Sequence, residues 1–330
     1  MSRARKLLTA DDIQGCWAII PTPARDGADQ WSAVDTLDVE ETRRIVNAMI
    51  DAGVDGILSL GTLGECGALT WAEKELFMRT LVEAAAGRIP IFGGTTALGT
   101  REAIAQTRAA RDIGLDGTMV GPSMWNKPDV AAAVRFYQDL AEAVPDMAIC
   151  VYANPFVFKF DFPPPFWAQV AEIPQVVCAK VASYATLLRD TKAARGRIRF
   201  MPMDSEYMGA VKLDPRGSVA FWSSSASCGP APAVALRDLV AQARHSGDWS
   251  AVEELSDEMG RAVLPIVCYG DFNLFQTHNV TLEKGRMNVA GWLKAGPNRP
   301  PYHLAPPQIL EFAKLGGEAW AALQEKYASK

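Results

Sequence analysis

Val54-Asp-Gly-Ile-Leu-Ser-Leu-Gly-Thr-Leu-Gly-Glu65 joins an apolar run to a glycine-containing turn, and a helical pattern over residues 71–86 follows. A short apolar run bounded by turn residues is typical of a buried strand. The succession of run, turn and helical pattern recurs about every 25–35 residues along the chain. The sequence therefore predicts repeated βα units.

Eight such apolar runs are present in the chain. They are Trp17–Pro21, Val54–Leu60, Ile89–Thr95, Gly117–Gly121, Ala148–Ala153, Val176–Lys180, Arg199–Pro202 and Val219–Ser223. Eight βα units predict an α/β fold of the (β/α)8 TIM barrel class. The alternative is an open doubly wound sheet, but the segment Ile20-Pro-Thr-Pro-Ala-Arg25 lacks the glycine-rich phosphate loop expected after its first strand.

The last hundred residues carry helical patterns without further strand runs. These patterns cover Ala233–His245, Trp249–Leu264, Phe272–Trp292 and Pro307–Tyr327. We expect residues 1–230 to form the barrel with a short N-terminal arm. We expect residues 231–330 to form the last barrel helix and a C-terminal helical extension.

Composition and charge exclude several classes of protein. The chain has 330 residues, is 49% hydrophobic and carries a net charge of −5 without a basic cluster, which argues against nucleic acid as a partner. No segment has the roughly 18 consecutive apolar residues of a membrane span. Six dispersed cysteines and three histidines indicate neither a zinc site nor a disulfide framework. The basic start Met1–Lys6 is not followed by the apolar core of a signal peptide, so we expect a cytoplasmic protein.

Lys180 is the strongest candidate for a nucleophile. Active-site residues of a barrel lie at the carboxyl ends of its strands, and Lys180 ends the apolar run Val176-Val-Cys-Ala-Lys180. Desolvation favours the neutral form of an amine, which is the form that attacks a ketone. Considered alone, this residue is also compatible with a lysine whose ammonium reaches solvent along a buried stem.

Two further strand ends carry polar groups that would complement an amine nucleophile. Tyr152 and Asn154 close the fifth run two residues apart, so a strand would point both to one face. The Gly61–Glu65 turn offers successive backbone N–H groups and a threonine hydroxyl to a carboxylate near a helix N-terminus. Together with Lys180 these groups fit Schiff-base chemistry on a 2-keto acid, with no metal or organic cofactor.

These segments resemble the dihydrodipicolinate synthase and N-acetylneuraminate lyase superfamily. Its glycine turn, Tyr-x-x-Pro motif and sixth-strand lysine correspond to Gly61–Glu65, Tyr152–Pro155 and Lys180. The resemblance implies that Lys180 forms the imine, Tyr152 moves the proton, and Thr62 with the Leu63 amide binds the pyruvyl carboxylate. It also implies a homotetramer.

Departures from that pattern indicate an aromatic substrate. Leu63 replaces a second threonine, Trp125 replaces a tyrosine, and no arginine follows the Tyr-x-x-Pro motif, where Lys159 is the cation present. Lysine biosynthesis therefore fits badly. Large flat or polarizable side chains suit an aromatic portion of a substrate, although core packing is the alternative for at least half of them; they are Trp125, Phe156, Phe158, Met203 and Trp222.

Within the superfamily the chain resembles the hydratase-aldolases of benzylidenepyruvates. The likeness rests on Gly61-Thr-Leu-Gly-Glu-Cys66, on Tyr152-Ala-Asn-Pro155 and on the tail Glu283-Lys-Gly-Arg-Met-Asn-Val-Ala-Gly-Trp-Leu-Lys-Ala-Gly-Pro297. It implies a small-molecule aromatic 2-keto acid that is hydrated and split to an aromatic aldehyde and pyruvate.

The resemblance also suggests which residues read the substrate. Asn154 would contact the added water or the C4 hydroxyl. Asn279 would contact the ring substituent, with Met203, Lys159 and His278 as further candidates for the ring. Two alternatives stay open: a sugar-acid aldolase or dehydratase of the same superfamily, and a non-catalytic barrel that only binds a keto acid.

Overall fold

The structure is a computed structural model that describes residues 7–328, so the first six residues of the predicted N-terminal arm lie outside it. Each of the eight predicted runs contains a strand or overlaps one, and the fifth has the predicted bounds. The strands are β1 Gly15–Ile19, β2 Gly56–Leu58, β3 Ile91–Gly94, β4 Gly117–Val120, β5 Ala148–Ala153, β6 Val176–Val181, β7 Arg199–Met201 and β8 Ala220–Ser223.

The helices alternate with the strands and continue after the last one. They are α1 Val39–Asp51, α2 Trp71–Ala85, α3 Thr100–Ile113, α4 Val130–Ala143, α5 Pro155–Phe158, α6 Pro164–Val170, α7 Leu187–Ala193, α8 Asp204–Leu213, α9 Ala231–Ser246, α10 Ser250–Val263, α11 Phe272–Ala290 and α12 Pro307–Ala328. The four helices after β8 match the helical patterns predicted for the C-terminal region.

Eight parallel strands in one sheet, taken in chain order and alternating with helices, make the fold a (β/α)8 barrel. The predicted fold class is confirmed. Two compact units make up the chain: residues 1–15 with 90–222, and residues 16–89 with 223–330. We call them the first and the second unit. The domain boundary expected at residue 230 stays a prediction.

In the first unit, β3 to β7 pair in parallel in their chain order. All residues of β3, β4 and β5 are buried, which is the pattern of strands covered on both faces. The β5–β6 register shifts once, between Ile149 and Cys150, and then runs through the pair formed by Tyr152 and Lys180. This register aligns the carboxyl ends of the two strands.

In the second unit, β1 pairs with β2 and the C-terminal helices pack against one another. Helices α11 and α12 approach closely because glycines leave room for the backbone. A Cβ atom on Gly285 would lie 2.8 Å from the Ala313 Cβ, and one on Gly317 would lie 2.6 Å from the Arg286 carbonyl oxygen. The indole of Trp320, a residue of α12, is buried and donates to the Gly229 carbonyl at 2.9 Å.

No helix between residues 7 and 328 is both long and apolar enough to cross a membrane. The six cysteines carry thiols, and all but the half-buried Cys66 are buried.

Gly121 follows β4 and gives a test of the packing beneath the strand ends. A Cβ there would lie 2.0 Å from the ring of the fully buried Phe158. We expect Gly121→Ala to lower the free energy of unfolding by about 1–3 kcal/mol, because Phe158 must move. The matched control is Gly260→Ala in α10, where nothing lies within 4 Å and where alanine should add about 0.5–1 kcal/mol. Urea unfolding of both variants decides, and an unchanged midpoint for Gly121→Ala would contradict the packing argument.

Candidate active site

Tyr152 and Lys180 are partners in the β5–β6 register near the carboxyl ends of both strands. Side chains at paired positions of adjacent parallel strands project to the same face of a sheet. The Lys180 Nζ lies 4.7 Å from the centroid of the Tyr152 ring. The structure thus brings together the nucleophile and the proton carrier that the sequence predicts.

Trp222, on β8, forms the second wall around the Lys180 amine. Its ring centroid lies 3.6 Å from the Lys180 Nζ, and its indole N–H donates to the Val181 carbonyl at 2.7 Å, which fixes the plane of the ring. An amine over an indole face gains electrostatic stabilisation when it is cationic, as an iminium nitrogen is. Sequence reasoning treated Trp222 only as a flat surface for the substrate. The strand numbers could have indicated this position. Lys180 lies on β6 and Trp222 on β8, and alternate strands of a barrel contribute side chains to the same interior layer.

Asn154 has a structural task beside its predicted one. Its Oδ1 accepts hydrogen bonds from the amides of Phe156 and Val157, both at 3.2 Å, and so begins helix α5. Its Nδ2 points to the Tyr152 hydroxyl at 3.4 Å. The side-chain amide is therefore held beside the phenol with a donor directed at it.

The predicted aromatic surface divides into core and exposed parts. Phe158 is fully buried and packs edge-on against the Tyr152 ring at 5.4 Å, so core packing is its role. Trp125 is 73% exposed and Phe156 is 63% exposed. The Lys159 ammonium donates a hydrogen bond to the Trp125 carbonyl at 3.3 Å.

Met203 is half-buried and pairs with Trp222 through an isolated parallel bridge. Met203, Trp222 and Lys180 all belong to the first unit. Its predicted contact with a substrate ring stays a prediction.

The Gly61–Glu65 segment forms a series of turns, and the next helix, α2, begins at Trp71 behind a Thr70 cap. The start of α2 agrees with the helical pattern predicted over residues 71–86, and residues 66–70 separate the turn from the helix N-terminus. Thr62 is half-buried and Leu63 is buried.

Glu65 closes this turn as a fully buried carboxylate. It accepts from the Lys284 ammonium at 2.8 Å, from the Arg299 backbone amide at 2.7 Å, and from the Arg299 guanidinium. Lys284 and Arg299 are buried as well, at 0% and 2% exposure. In the sequence, Lys284 stands out only as part of the tail that carries the family resemblance. Nothing local shows that a carboxylate over two hundred positions earlier is its partner.

Lys284 has an altered acidity. Its burial lowers the pKa of its ammonium to about 8, and the nearby Arg299 acts in the same direction, while Glu65 opposes both. Desolvation prevails here because the side chain is completely enclosed.

Asn279 lies on α11 next to a kink at His278, where the backbone leaves helical geometry with φ −117° and ψ 19°. Its Oδ1 is buried and has no hydrogen-bond partner among residues 7–328, and the Nε2 of Gln276 one turn earlier is in the same condition. A buried polar atom without a partner costs free energy, so such atoms are often explained by a ligand or an ordered water.

The site residues predicted from the sequence fall in both units. Lys180, Tyr152, Asn154, Trp125 and Met203 belong to the first. Thr62, Leu63 and Asn279 belong to the second. Their convergence on one substrate stays a prediction. In the described part of the chain, no three His, Cys, Asp or Glu side chains are placed to hold a metal ion together.

Known proteins resemble the chain over nearly its whole length. The model of the family described as dihydrodipicolinate synthetase matches residues 30–304. A trans-O-hydroxybenzylidenepyruvate hydratase-aldolase of Sphingobium xenophagum is 56% identical over 327 residues, with 99% of each chain covered. A trans-2'-carboxybenzalpyruvate hydratase-aldolase of Nocardioides sp. strain KP7 is 34% identical over 326 residues, with 98% of this chain and 97% of that one covered.

A solved structure agrees with these sequence matches. The structure described as PhdJ bound to substrate intermediate superposes with a TM-score of 0.94 at 40% identity. The superposition covers 98% of this chain and 100% of the other.

The altered acidity of Lys284 predicts a pH dependence of stability. The pKa is about 8 in the folded state, against a usual value of 10.5. Between these values the unfolded chain binds a proton that the folded chain has released, so the free energy of unfolding rises with pH. We expect Lys284→Met to remove a rise of about 1 kcal/mol per pH unit between pH 8 and 10, as measured by urea unfolding.

Lys326 is the control for this measurement. Its hydrogen bond to Glu258 raises the pKa of its ammonium, so Lys326 stays protonated in both states over this range. Lys326→Met should keep the wild-type slope. A stability difference between wild type and Lys284→Met that does not vary with pH would contradict the prediction.

Proposed function

The chain belongs to the dihydrodipicolinate synthetase family, and we propose that it is a class I hydratase-aldolase, a lyase that splits a substituted benzylidenepyruvate into an aromatic aldehyde and pyruvate. The observation that carries the proposal is the Lys180 amine, held between the rings of Tyr152 and Trp222 at strand ends of the barrel. The full-length likeness to two hydratase-aldolases supports it.

The reaction begins with imine formation on Lys180. The amine nitrogen attacks the C2 ketone, and Tyr152 gives the proton with which the ketone oxygen leaves as water. This step leaves Tyr152 as phenolate and a cationic imine that is conjugated to the C3–C4 double bond. Water then adds at C4, the carbon made electrophilic by this conjugation. The electron pair of the alkene moves toward the imine nitrogen to give an enamine, and the proton that the added water loses passes to C3, which restores the cationic imine.

Carbon–carbon cleavage uses the same electron sink. Tyr152, as phenolate, accepts the proton of the C4 hydroxyl, the C3–C4 bond breaks, and its electron pair enters an enamine while the aromatic aldehyde leaves. Tyr152 returns the proton to C3. Water then hydrolyses the imine to release pyruvate and the free amine, and Tyr152 takes back the proton that this hydrolysis sets free. Every step draws on the lysine imine, so the proposal requires no metal and no organic cofactor.

The remaining site residues have supporting roles in this proposal. Thr62 and the Leu63 amide bind the pyruvyl carboxylate. The Nδ2 of Asn154, directed at the Tyr152 hydroxyl, orients the phenol and the added water. The unpartnered Oδ1 of Asn279 accepts a hydrogen bond from an ortho hydroxyl on the substrate ring. Trp125 and Met203 contact the ring.

Covalent capture tests the Schiff base. Wild type incubated with pyruvate and sodium borohydride should carry a reduced pyruvyl group on Lys180, located by peptide mass spectrometry. Lys180→Met should carry none, whereas Lys192→Met, which removes an exposed lysine of α7, should be modified like wild type. Capture at another lysine, or no capture at all, would refute the role of Lys180.

Product analysis tests the substrate class. Wild type should convert ortho-hydroxybenzylidenepyruvate to pyruvate and the corresponding aldehyde, detected by mass spectrometry, and Tyr152→Phe should lower kcat/KM by about 10²–10⁴-fold. Benzylidenepyruvates with an ortho carboxylate or no substituent form the rest of the panel. Turnover of 2-keto-3-deoxy sugar acids in place of the aromatic panel would identify a sugar-acid aldolase, and binding without turnover would identify a non-catalytic barrel.

We also propose that the protein is a cytoplasmic homotetramer. The family resemblance supports this assembly, since closed symmetric oligomers are common among soluble enzymes. Light scattering coupled to size-exclusion chromatography should give the mass of four 35.8 kDa chains. The mass of a single chain would refute the tetramer.

A further inference from the structure

The backbone of the Gly61–Glu65 turn has an unfavourable local conformation that needs support from other parts of the chain. Leu60 before it and Glu65 at its end both have φ of 54°, a left-handed conformation that is unfavourable for a residue with a side chain. A Cβ on Gly64 would lie 2.9 Å from the Leu60 Cα, so the chain folds back on its own backbone there. Such a conformation persists only where neighbouring structure holds it.

Contacts from the segment after β1 and from the C-terminal region supply that support. The Thr22 hydroxyl donates to the Gly64 carbonyl at 2.9 Å. The Glu65 carboxylate accepts from Lys284 of α11 and from Arg299 in the segment after it. The turn is therefore fixed at its last two residues.

Arg299 connects the turn with its surroundings. Its guanidinium donates to the Thr22 carbonyl at 3.1 Å and to the Thr36 carbonyl at 3.2 Å, and its Nε donates to the Thr36 hydroxyl at 2.7 Å. The Lys284 ammonium also donates to the Pro297 carbonyl at 2.7 Å, which holds the chain that carries Arg299. The buried Glu65 carboxylate therefore connects the turn to the C-terminal tail. Through Arg299 it is also connected to the segment after β1.

Stability alone does not explain such a cluster. Three charged groups taken out of water lose hydration, and well-packed apolar side chains in place of buried ion pairs are often as stable or more stable. Fixed geometry is what charge-assisted hydrogen bonds provide in addition.

We infer that Glu65, Lys284 and Arg299 are positioning residues through which the C-terminal helices set the affinity of the enzyme for its 2-keto acid. The inference rests on the proposed function, in which Thr62 and the Leu63 amide of this turn bind the substrate carboxylate. The three residues touch no reacting atom. They hold the backbone on which the carboxylate site is built.

The test separates binding from chemistry. Glu65→Gln, Lys284→Met and Arg299→Lys should each raise KM for ortho-hydroxybenzylidenepyruvate by about tenfold or more while kcat stays within about threefold, because a contact used equally in ground and transition states is lost. The pyruvate concentration that gives half-maximal borohydride capture on Lys180 should rise in parallel.

Arg286→Met is the matched control. Arg286 lies on the same helix as Lys284, is equally buried, pairs with Glu283 at 2.6 Å and donates to the hydroxyls of Ser224 and Ser225. This variant should lose thermal stability and keep KM within about twofold of wild type. An equal rise in KM for Arg286→Met would reduce the effect to general loosening of the tail and would overturn the inference.

The remaining outcomes decide about the positioning role or about the proposed function. Folded Glu65→Gln or Arg299→Lys with wild-type KM would overturn the positioning role while wild-type capture of pyruvate leaves the proposed function intact. If none of the three variants folds, the cluster serves folding and the inference fails. Absence of capture in wild type would refute the proposed function itself.

Discussion

Parallel pairing of β5 with β6 is the constraint on which the chemistry proposed for this protein depends. The register puts Tyr152 opposite Lys180, so that a phenol and an amine lie side by side where both strands end. One residue of slip would turn one of them to the opposite face. Buried strands fix this register, since a shifted strand would expose apolar side chains and leave backbone groups unpaired.

The surroundings of Lys180 combine aromatic faces with few hydrogen-bond partners. Tyr152 and Trp222 enclose the amine, and Trp222 is itself fixed by its bond to the Val181 carbonyl. The two rings form an aromatic wall beside the amine of the half-buried Lys180. Such a wall suits a nitrogen that alternates between a neutral amine and a cationic imine. Beneath it, Phe158 supports the phenol ring from the core.

The second unit relies on buried charge instead. Glu65 meets Lys284 and Arg299, and Glu283 meets Arg286, all of them almost completely enclosed. Burying an ion pair is expensive unless each charge has well-aligned partners, and here backbone carbonyls and hydroxyls supply them. The C-terminal helices are thereby tied to the loops of β1 and β2, which carry the predicted carboxylate site.

The sequence by itself determined the eight βα units and the helical C-terminal region, and it indicated Lys180 and Tyr152 as site candidates, because strand and helix periods and strand-end positions are local properties. The family likeness added Asn279. Tertiary structure decided that Trp222 faces the amine, that Phe158 belongs to the core, and that the Gly61–Glu65 turn leads into further turns before α2 begins. It also decided that Glu65 pairs with Lys284, 219 positions away. Such pairings depend on how distant segments meet, and no period or motif within one segment encodes that.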